Sequence, residues 1–328
     1  MIVFDKVSRR YGDLTAVDAV SLEIGAREVV GLLGHNGAGK TTLMKMLAGM
    51  LEPSAGTIRL DALEHGRDTS AIQARIGYLP ENCPLWPELT VLDFLELQAA
   101  LHGVAPARRG AAVAAAVRRT ALKDKAEAPI HTLSRGYRQR GGGAQAILHE
   151  PEVVVLDEPT NGLDPTQVQQ MRALVAELAR SATVIVSTHV LQEVQAVCER
   201  VVILQRGRKV VDSRLDELQR GARLQVDVDL DERAATALFA TVAGAGEVRA
   251  LGRAPAGGFR YAIATLAGID AAALAPAVAR AVVGAGAALL ELQPERRDLE
   301  TVFAEVAGGA PAAAAASQAL AAETADVA

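Results

Sequence analysis

The sequence predicts an α/β fold: a larger α/β domain with a helical insertion, followed by a small α+β domain. Three observations predict it. Short apolar runs alternate with helix-like segments through residues 1–220. Residues 88–150 are rich in Ala, Leu and Arg and have almost no strand pattern, which indicates a helical insertion. A new series of strand and helix patterns begins near Gly221 and continues to residue 307. The predicted domains are therefore 1–220 and 221–307, with a tail at 308–328.

In the first domain, an apolar run at 29–33 breaks into glycines and then into the periodic segment 41–51. This order predicts a strand, a glycine-rich turn and a helix. Further apolar runs predict strands, and two more segments predict helices: strands at 153–156, 183–187 and 201–204, and helices at 89–101 and 191–198. Strands that alternate with helices predict a largely parallel sheet.

The second domain shows the order β-α-β-β-α-β, which is typical of a ferredoxin-like fold. The segments are strands at 224–230, 247–251, 259–265 and 289–293, and helices at 231–242, 269–283 and 298–306. The Ala-rich tail at 308–328 contains one proline and no aromatic residue, so we expect a disordered tail or a weak helix there.

Composition limits the classes of function. The chain has 328 residues, of which 50% are hydrophobic, and a net charge of −5. This mild acidity argues against broad binding of nucleic acid, which requires a basic surface. Cys83 and Cys198 form no CxxC pair, so neither a disulfide framework nor a cysteine metal site is predicted.

We expect no membrane-spanning segment. The first residues do not have the pattern of a signal peptide, and the most apolar stretch, 271–292, is interrupted by Arg280. Any role at a membrane is therefore expected to come through a separate partner.

A phosphate-binding loop is predicted at Gly34, His35, Asn36, Gly37, Ala38, Gly39, Lys40 and Thr41, which match G-x-x-x-x-G-K-[ST]. Glycines let the backbone approach a phosphate, and the N-terminus of the following helix favours the anion. Lys40 is expected to contact the β and γ phosphates. The Thr41 hydroxyl is expected to bind Mg²⁺.

Two acids follow the apolar run at 153–156. Asp157 at the end of a strand beside such a loop is expected to hold Mg²⁺, and Glu158 to polarise the attacking water as a general base. Taken alone, two acids after a strand are more often a solvated turn. The preceding loop motif favours the catalytic interpretation.

Further motifs, in unbroken order over residues 2–220, resemble the ABC ATPase family. The sequence at 133–137, LSRGY, resembles its LSGGQ signature; 161–164, NGLD, its D-loop; 78–81, YLPE, its Q-loop; and His189 its switch histidine. The resemblance implies nucleotide contacts at Tyr11, Thr42, Ser134, Gly136 and Asp164 besides the loop at 34–41. It also implies that Thr41, Glu81 and Asp157 bind the metal, and that Glu158 and His189 are catalytic.

In this family ATP lies between the P-loop of one cassette and the signature of another. The resemblance therefore implies Mg-ATP as ligand, a second ATP-binding subunit (most simply a homodimer) and an integral membrane permease. The subunit would lie on the cytoplasmic face of the cell membrane, held there by the permease. The segment at 76–91 and the C-terminal 299–303, LETVF, further resemble ATP-binding subunits of ABC-2-type exporters.

Three departures from the family pattern stand out. Glu81 replaces a glutamine, although both side chains offer an oxygen to Mg²⁺. Arg135 and Tyr137 replace a glycine and a glutamine of the signature. Residues 141–143 are three glycines inside the expected signature helix, where each costs about 1 kcal/mol relative to alanine. We expect them to loosen the start of that helix.

Three other functions compete with this interpretation. A soluble ABC ATPase acting on ribosomes or DNA usually has two cassettes or a long coiled-coil insertion, and this chain has neither pattern. A degenerate cassette that does not hydrolyse ATP is opposed by Lys40, Asp157, Glu158 and His189. A ligand-sensing role for residues 221–307 has no site to support it.

Overall fold

The computed structural model describes residues 1–255, 257–266, 270–296 and 299–306. The chain divides into two compact units, Met1–Leu215 and Asp216–Ala328, which are treated separately below. The predicted tail at 308–328 lies outside the described residues.

The first unit alternates strands and helices. Its strands are β1 (Ile2–Tyr11), β2 (Leu14–Ile24), β3 (Val29–Leu33), β4 (Ala55–Leu60), β5 (Leu63–Glu64), β6 (Ile76–Leu79), β7 (Val153–Asp157), β8 (Thr183–Thr188), β9 (Arg200–Gln205) and β10 (Arg208–Arg214). Its helices are α1 (Lys40–Leu47), α2 (Thr69–Gln73), α3 (Val91–Leu101), α4 (Pro106–Arg119), α5 (Arg135–Ile147), α6 (Pro165–Leu178) and α7 (Leu191–Val197), and α8 (Leu215–Gln219) begins at its last residue.

A six-stranded sheet forms the centre of this unit, in the order β10-β9-β3-β8-β7-β6. The five strands from β9 to β6 are parallel, and β3, β7 and β8 are buried along their whole length. Parallel strands bring their carboxyl ends to one edge, where Leu33 is opposite Thr188 and Asp157 opposite Ser187. The predicted α/β class is confirmed. The predicted site residues after β3, β6, β7 and β8 share this edge.

A second sheet, β2-β1-β4-β5, was not predicted as a separate layer. Its strands are antiparallel, and the pairing of β1 with β2 shifts register three times between Phe4 and Arg10. Each shift moves the apolar side chains to the other face of the strand, so the strict alternation that would have indicated a strand is lost. The sheet nonetheless contributes Phe4, Leu22 and Ile58 to the core under α1.

The predicted helical insertion is present as α3, α4 and α5. Thr90 caps α3 by accepting a hydrogen bond from the Asp93 N–H at 3.1 Å, and Ser134 occupies the cap position of α5. The run of glycines at 141–143 was expected in the first turns of α5. It begins instead at the seventh residue of a continuous helix, beyond the four free N–H groups at the start.

The second unit contains β11 (Arg220–Val228), α9 (Glu232–Phe239), β12 (Ala245–Arg253), β13 (Phe259–Thr265), α10 (Ala271–Gly284), β14 (Leu289–Arg296) and α11 (Leu299–Val306). Its antiparallel sheet has the order β12-β13-β11-β14, the arrangement of a ferredoxin-like fold. One face packs on α9 and α10 around Val226, Phe239 and Tyr261. Asp231 caps α9 by accepting from the Ala234 N–H at 2.8 Å.

Among the described residues, no helix has both the length and the apolar character that crossing a bilayer requires.

Candidate active site

The loop between β3 and α1 forms the floor of the site. Gly39 has φ 105°, and a Cβ there would lie 2.5 Å from the carbonyl oxygen of Ala16. Both facts require a glycine, because a side chain would strain the backbone and collide with β2. The loop can therefore lie flat on β2 and turn directly into α1, whose free N–H groups begin at Lys40.

A cavity of about 600 Å³ opens over this loop. It is lined by Tyr11, Leu14, Thr15, Ala16, His35, Asn36, Gly37, Ala38, Gly39, Lys40, Thr41, Thr42, Glu81, Glu158 and Arg206. Tyr11 is 45% exposed, and the Arg9 guanidinium lies 4.8 Å from the centre of its ring. A flat, exposed ring at the rim offers a stacking surface for a base.

Lys40 is buried at the base of the cavity. Its Nζ donates to the carbonyl oxygen of Gly34 at 2.6 Å and lies 3.5 Å from Oε1 of Glu158. A carbonyl and a carboxylate thus hold the ammonium group within the phosphate-binding loop. A phosphate placed against the loop would meet this charge with little water between them.

Glu158 adopts an uncommon backbone conformation, with φ 48°. Its N–H is fixed from the neighbouring strand β8, by the carbonyl oxygen of Ser187 at 3.1 Å and by the Ser187 hydroxyl at 3.0 Å. The carboxylate lies between Lys40 and His189, with its Oε2 2.9 Å from His189 Nδ1. The two predicted catalytic side chains are therefore in contact, and Glu158 faces the cavity.

Asp157 is fully buried at the end of β7. Its Oδ1 accepts a hydrogen bond from the Ser187 hydroxyl at 2.5 Å, and its Oδ2 has no hydrogen-bond partner among the described residues. Burial, followed by the charge of Asp157, raises the pKa of Tyr78. A buried carboxylate oxygen without a partner is costly in a folded protein, and a Mg²⁺ ion or its water would satisfy it.

Glu81 lies at the rim of the cavity after β6. Its Oε1 accepts a hydrogen bond from Asn161 Nδ2 at 3.1 Å, which links the loop after β6 to the loop before α6.

Two residues of the segment that resembles the signature, Ser134 and Gly136, and Asp164 of the segment that resembles the D-loop lie elsewhere. Ser134 accepts a hydrogen bond from the Tyr137 N–H at 3.5 Å, Gly136 packs under the Gln167 side chain, and Asp164 caps α6 by accepting from the Gln167 N–H at 2.9 Å. None of these three lines the cavity described above. One copy of the chain brings together the loop, the two acids and the histidine, but not the signature.

Several residues of the site were not predicted: Leu14, Thr15 and Ala16 of β2 line the cavity, and two polar residues, Ser187 and Arg206, were also missed. Ser187 holds both Asp157 and Glu158, and Arg206 lines the cavity in the turn after β9. Their positions could have indicated these two polar residues. Ser187 is the last residue but one of β8, and Arg206 directly follows β9. The carboxyl ends of both strands lie at the same edge of the sheet as the phosphate-binding loop.

Comparison with known proteins places this geometry in a family. The sequence profile of the ABC transporter family matches residues 17–161. The Nod factor export ATP-binding protein I of Paraburkholderia xenovorans (strain LB400) is 38% identical over 216 residues, which cover 64% of this chain and 70% of that protein. The ABC transporter ATP-binding protein NatA of Bacillus subtilis (strain 168) is 34% identical over 229 residues, or 68% and 93% of the two chains.

A solved structure is also similar. The dimeric structure of MJ0796, a bacterial ABC transporter cassette, superposes with a TM-score of 0.61 and 25% identity. The match covers 66% of this chain and 99% of that one.

Proposed function

The chain belongs to the ABC transporter ATP-binding family of ATPases, and on this premise we propose how its residues bind and hydrolyse Mg-ATP and which proteins it assembles with. The observation that carries the proposal is the position of Glu158, which lines the cavity over the phosphate-binding loop and contacts both Lys40 and His189.

ATP is proposed to lie with its phosphates on the loop and its base against Tyr11. The backbone N–H groups at 34–42 and the N-terminus of α1 bind the β phosphate. Lys40 exchanges its contact with Glu158 for the γ phosphate and so frees the carboxylate. Glu158 then accepts a proton from the attacking water, and His189 Nδ1 holds the carboxylate in place.

The residues present fit a magnesium ion. Oδ2 of Asp157 is buried without a partner, and Thr41 and Glu81 line the adjacent cavity with oxygen atoms. When bound, Mg²⁺ neutralises charge that develops on the phosphates. The Ser187 hydroxyl holds the other carboxylate oxygen of Asp157, Oδ1, and so fixes the side chain.

A second copy is proposed to complete the site, because Ser134, Gly136 and Asp164 do not line the cavity of their own chain. Ser134 lies at the N-terminus of the 13-residue helix α5 and offers a hydroxyl group beside free N–H groups. These groups match the γ phosphate of an ATP bound to the other copy, and a head-to-tail homodimer would form two such sites.

Mixing two inactive variants tests the shared site. Lys40→Ala and Ser134→Arg chains should each hydrolyse little ATP. In a mixed dimer, one site combines the intact loop of one chain with the intact signature of the other. Random mixing should restore at most about a quarter of wild-type turnover, since half the dimers are mixed and each has one sound site of two. Turnover that stays at the level of the separate variants would contradict the shared site.

A membrane permease is the second proposed partner, and the name of the Nod factor export relative favours an exporter, of the ABC-2 type in our proposal. A groove of about 430 Å³ lies beside the loop after β6. It is lined by Ala48, Met50, Ser70, Gln73, Ala74, Ile76, Tyr78, Pro80, Pro84, Leu101, His102, Gln145, Ala146 and His149. Met50 and Leu101 in this lining are more than half exposed, as expected for an interface. Trp86, which is 51% exposed, is not part of the lining but follows the lining residue Pro84 by two positions in the same loop. The subunit would then lie on the cytoplasmic face of the membrane.

Replacing Trp86 with Ala is expected to uncouple the subunit from the membrane. The side chain is 51% exposed, so its loss should leave the fold and the ATPase activity of the isolated subunit unchanged. The amount of subunit recovered with membranes from cells that make the proposed permease should fall several-fold, a typical loss for an apolar anchor. Val283→Ala, at a 68% exposed position in the second unit, is the control. Normal membrane recovery of the Trp86 variant would contradict the docking site.

A further inference from the structure

The run of glycines in α5 lies against the loop that follows β6. A Cβ on Gly142 would lie 2.7 Å from both Cys83 Sγ and Leu79 Cδ1, and a Cβ on Gly141 would lie 3.3 Å from Leu85 Cδ1. We call Gly141 and Gly142 the glycine face of α5. Side chains of the loop occupy the volume that a larger residue would fill there.

Gly143 differs from its two neighbours. A Cβ there would lie 3.9 Å from Leu174 Cδ2 and Thr120 Cγ2, an ordinary van der Waals distance. A methyl group at Gly142 would therefore displace Cys83 and Leu79, one at Gly141 would crowd Leu85 slightly, and one at Gly143 would fit. Gly142 and Gly143 are consecutive residues of one helix. The same Gly→Ala substitution therefore changes helix propensity equally at both, so Gly143 is a matched control for Gly142.

The contact on the glycine face is also polar. The Cys83 thiol donates to Gln139 Oε1 at 3.1 Å, and Cys83 has φ 24°, an uncommon backbone conformation. Gln139 is 4% exposed, and its Nε2 has no hydrogen-bond partner among the described residues. The thiol is thus one partner of a buried amide that is otherwise only partly satisfied.

Both ends of this contact adjoin the proposed active site. Cys83 follows Glu81 by two residues, and Glu81 is bonded to Asn161. Gln139 follows Ser134 by five residues within α5, the helix that Ser134 caps. A displacement of the loop by the thickness of one methyl group would move Glu81 relative to Ser134.

We propose that Cys83, seated on the glycine face and bonded to Gln139, is a positioning residue that fixes the loop carrying Glu81 against the helix presenting Ser134. The inference rests on the proposed function, in which Glu81 and Ser134 serve ATP. It also gives the glycine run a role: apolar residues at the glycine face would push the loop away from α5.

The test compares Gly142→Ala with Gly143→Ala in the full chain. Both substitutions add one methyl group to the same helix, but only the first meets Cys83 and Leu79. Gly142→Ala should lower ATP turnover about tenfold and raise KM for ATP. Gly143→Ala should change turnover by less than about twofold and raise Tm. Equal turnover in the two variants would overturn the proposal.

Removing the thiol provides a rescue. Cys83→Ala alone should lower turnover, because the bond to Gln139 is lost, yet it makes room for a methyl group on residue 142. The double variant Cys83→Ala, Gly142→Ala should therefore lose less than the product of the single losses. Losses that simply multiply would show that Cys83 and Gly142 act independently and would also overturn the proposal.

A measurement without ATP separates this inference from the proposed function. Amide hydrogen exchange at residues 79–85 should rise at least about tenfold in Gly142→Ala and stay at the wild-type rate in Gly143→Ala. If the wild-type chain hydrolysed no ATP, the proposed function would fail while this exchange pattern still reported the contact. If the wild type hydrolyses ATP but Gly142→Ala leaves the exchange unchanged, the proposed role of the Cys83 contact is refuted and the proposed function stands.

Discussion

Glu158→Gln is expected to lower ATP turnover by about 100-fold or more, the usual scale for loss of a general base. Gln keeps the size of the side chain but cannot accept the proton of the attacking water. Its amide also keeps a polar contact with His189, which lies 2.9 Å from the present carboxylate. ATP binding should persist, so the variant should accumulate as an ATP-bound dimer, visible by size-exclusion chromatography with ATP present.

The control for this variant is Glu152→Gln, the same substitution just before β7, at the opposite end of the strand. Glu152 is an exposed acid paired with Arg75 and lies far from the phosphate-binding loop along the strand. Its turnover should match that of the wild type. Turnover of Glu158→Gln within about threefold of wild type would remove Glu158 from the role of general base.

Lys40→Ala is expected to weaken ATP binding by about tenfold to 100-fold, the range for losing a hydrogen bond to a charged group. The ammonium is 5% exposed, so solvent cannot replace it at the phosphates. The substitution also leaves the Glu158 carboxylate, 3.5 Å away, without its cationic partner, and that negative charge opposes the γ phosphate.

Equilibrium dialysis with ATP measures this effect. Lys45→Ala is the control, because Lys45 lies exposed in the last turn of the same helix. Circular dichroism should show both variants folded. An unchanged affinity of the Lys40 variant would refute the assignment of the phosphate-binding loop.

The central sheet could be predicted because its strands are buried on both faces. Val153–Asp157 and Thr183–Thr188 are continuous apolar runs ended by polar residues. This pattern does not depend on which face of the strand packs against which helix, so it can be recognised in the sequence. The ferredoxin-like order of the second unit followed from a different pattern: its antiparallel sheet packs only one face on helices, so apolar and polar residues alternate along its strands.

The antiparallel sheet of the first unit was harder to predict. In β1, the shifts around Val7 and Arg9 interrupt the alternation, and Lys6 adopts φ 47° in the same strand. Such irregularities depend on how β1 pairs with β2, the next strand, and with β4 farther along the chain, and the alternation within β1 does not reveal them.

The residues of the site also divide into those that local sequence predicts and those that only distant contacts reveal. Lys40, Asp157 and Glu158 lie in short motifs whose chemistry depends on residue type and spacing. Ser187 and Cys83 act through contacts with distant parts of the chain, at 30 and 56 residues from their partners. The glycine run was visible as unusual, but only the packed structure shows that Gly142 is the most crowded of the three.

The parallel arrangement of the central sheet also suggests where the protein would tolerate a reporter group. Lys40, Glu81 and Glu158 follow the carboxyl ends of β3, β6 and β7, whereas the exposed turn at 25–27 enters β3 at its amino end. Five residues of extended strand separate that turn from the phosphate-binding loop, about 17 Å at 3.3 Å per residue. A fluorophore or short peptide tag inserted there would report on the protein in cells without obstructing nucleotide entry.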